Sequence, residues 1–195
     1  MMTSVMSFPP HAAAAAVLAV AALVMAVAGA AKIVRPVPTV TALKTAGIKI
    51  PVSLVRGLSL FELFIAGAAL TDAGAAWRIL LAGSYVAFAG FVAFALARHI
   101  PLASCGCFGE PDTPPTALHV WLNGLLAAAP LVAVLQRAPS PGHVLADSPG
   151  DGVVAAIGVA VATGCCLLVL TALPRLAAEA RGARQRVLGP ERRTT

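Results

Sequence analysis

Charge is scarce in this sequence. Asp, Glu, Lys and Arg make up 11% of the 195 residues, and apolar residues make up 59%. Ordinary soluble domains carry about 25% charged residues and about 45–50% apolar ones. Departing in both directions at once excludes a soluble globular domain and points to a membrane protein. Acid is scarcer than base, with 8 Asp and Glu against 14 Lys and Arg, for a net charge of +6. The basic residues flank the apolar runs or sit in the tail. They form no basic face, so nucleic-acid binding is not expected and the charge reads as topology. Cysteine is scarce as well. Four residues, without soluble loops to staple, exclude a secreted disulfide scaffold. No internal repeat is visible, which argues against a transporter built from inverted halves.

What is present is a series of five apolar blocks at residues 12–31, 52–71, 79–97, 117–135 and 152–173. About 20 residues at about 1.5 Å each cross a hydrocarbon core of about 30 Å. Ala28-Gly29-Ala30 resembles a signal-peptidase site. However, no Lys or Arg precedes the first block, and the block exceeds the roughly 7–15 residues of a signal h-region, so it is expected to remain as a span. Block two carries Arg56, which can snorkel to the interface, and Glu62. Block three is aromatic, with Trp77 and Arg78 at its start, where a membrane interface wants them. Block four holds His119, Asn123 and Pro130. The expected fold is all-α: a polytopic transmembrane helical bundle with a four-helix core and a fifth helix. Residues 1–135 would form the core, with an irregular cysteine loop at 98–116. Residues 136–174 would form a loop and the fifth helix, and 175–195 a basic tail.

The connector at residues 32–56 has five basic residues, no acid and three prolines. It has room for a short amphipathic piece at the membrane surface. With five spans, this connector and the Arg-rich tail share a side, which the positive-inside rule makes cytoplasmic in a multi-pass protein of the cell membrane. Loop 98–116 falls on that side too, an awkward place for a stable disulfide. Three readings stay open. The loop dips into the membrane under protein cover, or its thiols act as a dithiol donor, or block one does not span as drawn.

The sharpest motif is Cys105-Gly106-Cys107-Phe108-Gly109. Two cysteines one residue apart close a strained ring that is easily reduced and so suits exchange. Gly106 would relieve the Cβ penalty of so tight a ring. The functional reading is a redox pair exchanging with a thioredoxin-like partner or a quinone. A soft-metal site with His99 or His119 is an alternative, although zinc would want four ligands and only two are firm, so no metal is assigned. The bland reading is two free loop cysteines. Cys165 and Cys166 lie about 100° apart on a helix and read as packing residues or as a relay to the loop. A carboxylate within a membrane helix is costly and usually kept for a reason. Glu62 would handle a proton beside a thiolate or quinone, pair with a base such as Lys32, or hydrogen-bond across helices. His119 and Asn123 share a helix face just after the loop and can point at it. His119 also reads as a satisfied interface histidine, and Trp121 as an interfacial anchor.

These residues together resemble the MauE family, within the MauE/DoxX-like redox-associated membrane proteins. The resemblance covers about residues 12–135. It rests on Gly29-Ala30-Ala31-Lys32 closing the first helix, Leu60-Phe61-Glu62-Leu63 in the second, the Cys-Gly-Cys-Phe-Gly string, and Trp121-Leu122-Asn123 in the fourth. It implies a role in thiol–disulfide chemistry or electron delivery alongside a thioredoxin-like partner. The family is associated with maturation of methylamine dehydrogenase, a disulfide-rich periplasmic enzyme. Cys105 and Cys107 carry over as the exchanging pair, and Glu62 and Asn123 with them. Glu62 or His119 would manage the proton. The rival readings are a non-catalytic assembly scaffold and a small transporter or metal-handling protein.

Overall fold

Apolar, alanine-rich runs bounded by Pro, Gly and charge become helices throughout. The computed structural model describes residues 10–71, 74–102, 104, 106, 108, 114–147 and 149–188, and every regular element among them is helical. The elements are α1 (Pro10–Val34), α2 (Val37–Thr45), α3 (Val52–Leu70), α4 (Ala75–Ala97), α5 (Ala117–Leu135), α6 (Pro141–Asp147) and α7 (Pro149–Leu188). Helices α1, α3, α4, α5 and α7 are long and apolar enough to cross a membrane. This is the multi-pass all-α bundle that the sequence predicts. The connector holds a short helix, α2, with Ala42 buried. A further short helix, α6, occupies the loop before the last span.

Helix α1 is the axis of the bundle. It packs on α3, α5 and α7, while α4 packs mainly on α5. Leu18, Ala21, Ala22 and Met25 of α1 sit in one core cluster with Ile65, Leu81, Tyr85 and Leu126. The alanines let backbones come close, which is how membrane helices gain packing without a hydrophobic drive between them. Tyr85 is buried at this centre and donates its hydroxyl to the Ala21 carbonyl at 2.6 Å. In the most apolar 18 residues of α1, 56% are buried, against 11% in the corresponding stretch of α7, so α7 is the peripheral helix. It also continues unbroken through Pro174, so the boundary expected at residue 174 falls inside a helix.

Three helix ends close in the same way. At the end of α2, Ile48 N–H donates to Leu43 O, and Gly47 N–H to Lys44 O. Ile100 N–H donates to Ala95 O, and His99 N–H to Leu96 O. Ala138 N–H donates to Ala133 O, and Arg137 N–H to Val134 O. These are the paired bonds of a Schellman motif. They place His99 (φ 52°) and Arg137 (φ 48°) in the left-handed region.

Candidate functional site

The site begins where α1 and α3 touch. A Cβ added to Gly29 would lie 3.0 Å from the Ser59 carbonyl oxygen and 3.5 Å from Glu62 Cβ. Glycine at this crossing therefore sets how closely the helices approach. One turn on along α1, Lys32 places its Nζ 2.5 Å from Glu62 Oε2 and 4.4 Å from the centre of the Phe88 ring. The two side chains are 4% and 12% exposed. Of the roles open to Glu62, pairing with Lys32 is therefore realised. A buried ion pair loses much of its Coulombic gain to desolvation, so it is weak as a stabilising device. This one faces a cavity of about 200 Å³.

Gly106, the residue between Cys105 and Cys107, lines the same cavity. Its carbonyl accepts the Thr39 hydroxyl of α2 at 2.6 Å, and its N–H donates to Ser104 Oγ at 3.0 Å. It has φ +71°, and a Cβ there would come 2.8 Å from Thr39 Cα. Glycine is thus required twice over, by a left-handed backbone and by contact with α2, a reason beyond the ring closure read from the sequence. Leu102 and Ser104 are also buried, and Phe108 packs against the main core. These described loop residues fold into the bundle, where irregular backbone is tolerated because protein covers it. Cys105, Cys107 and Gly109 lie outside the described residues.

His119 and Asn123 lie elsewhere. With Phe108, Tyr85 and Leu170 they surround a small void, and Phe88 lines both this void and the ion-pair cavity. His119 closes the capping box of α5: Thr116 N–H donates to Nδ1 at 3.3 Å, and Nε2 lies 3.1 Å from the Leu170 carbonyl oxygen. With Nδ1 accepting, Nε2 carries the proton and donates. Leu170 O is available because Pro174, four residues on, has no N–H to give it. Asn123 Nδ2 donates to His119 O at 2.7 Å. The structure thus brings Glu62 and Lys32 together with Gly106, and sets His119 and Asn123 in a neighbouring void, where His119 links α5 to α7 and Asn123 bonds back to its own helix. His99 closes α4. Among the described residues no three His, Cys, Asp or Glu side chains cluster as metal ligands. Cys165 and Cys166 are free thiols, the first exposed and the second half-buried.

The family model for methylamine utilisation protein MauE matches residues 10–136. The chain belongs to the MauE family. The family region runs from the start of α1 to the end of α5, so it includes the ion pair, the cysteine loop and His119, while α6 and α7 lie beyond it. No curated protein and no solved structure matches the chain.

Sequence reasoning missed three contributors. Thr39 anchors the loop, but nothing local marks a threonine in a basic connector as a tether. Pro174 frees a carbonyl for His119, and a proline directly after the last apolar run is the available signal. Arg78, an interfacial anchor by sequence, is buried and donates through Nη1 to the carbonyls of Ala138 at 2.8 Å and Ala133 at 3.4 Å. It caps the C-terminal end of α5.

Proposed function

We propose that this MauE-family protein is a membrane-embedded thiol–disulfide exchanger. Cys105 and Cys107 form the exchanging pair, and the Lys32–Glu62 pair is the charged floor of the site. The observation that carries this reading is the shared cavity: the residue between the two cysteines and a buried ion pair line one space. One thiolate attacks a disulfide sulfur of a soluble thioredoxin-like partner, forming a mixed disulfide. The second thiolate attacks the loop sulfur of that bond and releases the partner as a dithiol. Two electrons pass from the pair to the partner. Run in reverse, the sequence oxidises the partner. Glu62 and Lys32 offer a proton acceptor and a donor beside the exchange. The family's association with methylamine dehydrogenase supports maturation of a disulfide-rich enzyme as the pathway, and because that enzyme is periplasmic this pathway requires the site end of the bundle to face the periplasm.

The basic connector, by the positive-inside rule, favours the cytoplasm for the site end of the bundle, and impermeant thiol labelling of Cys105 from outside the cell distinguishes the two sides. Alkylating thiols in intact membranes after mild oxidation tests the function. The expected result is a reversible Cys105–Cys107 disulfide. Replacing both with Ser should slow partner exchange at least about 1,000-fold, as expected for loss of a nucleophile. An unchanged rate in the double Ser variant would instead leave the protein a scaffold that recruits its partner.

A further inference from the structure

We infer that the Lys32–Glu62 cavity is the headgroup site of a lipid-soluble quinone, entered sideways from the bilayer between α3 and α4. The inference deepens the exchange reading by naming its electron acceptor. The binding site itself rests on described residues alone.

Charge sets the first limit. Glu62 cancels Lys32, so the cavity is neutral, and a charged ligand would lose its hydration with no counter-charge to meet it. Available donors set the second. The Ser59 hydroxyl is committed to the Val55 carbonyl and the Thr39 hydroxyl to Gly106 O. The Lys32 ammonium has three N–H donors, and Glu62 is its paired acceptor. Its remaining donors suit a ligand carbonyl oxygen. Phe88 and Phe91 supply aromatic walls for a flat ring. Size is the third limit. About 200 Å³ falls below the roughly 300–1,000 Å³ that buries a whole drug-sized ligand. It suits one substituted ring with its tail outside. Access is the fourth. Two lining residues, Leu58 of α3 and Ala87 of α4, are exposed on helices apolar enough to cross a membrane, which gives the cavity an edge that faces lipid.

The chemistry balances. Two thiols and one quinone give one disulfide and one hydroquinone. Two electrons leave the sulfurs, and the two thiol protons finish on the quinone oxygens. The exchanger would then run as a net oxidant of its partner.

The test uses the full chain in phosphatidylcholine nanodiscs. Decylubiquinone serves as the ligand, and an azido-quinone as the photolabel. Labelling is expected on peptides from α3 and α4. Leu58→Trp, at the half-exposed mouth, should weaken decylubiquinone binding at least about tenfold while leaving the ion pair in place. Lys32→Met should weaken it as well. The double Cys105→Ser, Cys107→Ser variant should bind within about twofold of wild type yet form no quinol. Unchanged binding in Leu58→Trp, or labelling confined to the apolar cavity between α1, α6 and α7, overturns the site. Binding without quinol formation, in protein that still exchanges with a thioredoxin, overturns the electron-acceptor role and leaves the exchange reading standing. Loss of exchange with binding intact does the reverse.

Discussion

Two buried cations sit at opposite ends of this bundle, and they are satisfied differently. Arg78, at the start of α4, donates to backbone carbonyls at the end of α5. A positive charge there also meets the negative end of the helix dipole. Its contacts hold two helices together, as its planar fork of donors allows. Lys32, at the end of α1, meets a carboxylate and an aromatic face beside an open cavity. A lysine paired in this way costs desolvation and contributes little net stability, whereas the carbonyl cap closes a helix end that would otherwise be left with unpaired acceptors. The contrast teaches that burial of a charge in a membrane helix does not itself mark a site. The groups facing the charge do.

Substitutions can break this contrast. Lys32→Met leaves Glu62 as an unpaired buried acid and should destabilise the bundle by about 3–5 kcal/mol, read by thermal unfolding in detergent. Adding Glu62→Met should recover most of that loss without recovering exchange, which separates the chemical role from the structural one. Arg78→Met should cost about 1–3 kcal/mol through the lost carbonyl bonds, with exchange per folded molecule unchanged. Gly106→Ala sharpens the site side. The left-handed backbone alone costs about 1–2 kcal/mol, and contact with Thr39 adds to it. Loop displacement should therefore appear as faster alkylation of Cys105 and Cys107. The smallest effect is expected at His99, where His99→Gly relieves a left-handed backbone and should stabilise by up to about 1 kcal/mol.

The fold was largely legible because its signal is local. An uncharged run of about 20 residues means a span whatever surrounds it, and the run at 117–135 coincides with α5. Helix ends were less legible. Whether a helix stops at a proline depends on who takes the freed carbonyl, and at Pro174 a histidine 55 positions earlier takes it. The same limit applied to the site. The cost of an acid in a membrane singled out Glu62 and named Lys32 among its potential partners, because charge pairing is a strong constraint. Nothing local separated Glu62 from His119, which the structure places in two different cavities that share Phe88 as a lining residue. Periodicity puts His119 and Asn123 on one helix face, but only the packing shows that this face meets α7.

In the proposed function the Lys32–Glu62 pair belongs to the thiol chemistry and Arg78 does not. This division is tested most directly by the rate at which Cys105 and Cys107 exchange with a thioredoxin. That rate is measured by thiol trapping and normalised to folded protein, for the Lys32→Met, Glu62→Met double variant beside Arg78→Met. The account predicts a fall of at least about tenfold in the first and a change within about twofold in the second. Equal rates in the two variants, whether both intact or both lost, would contradict it.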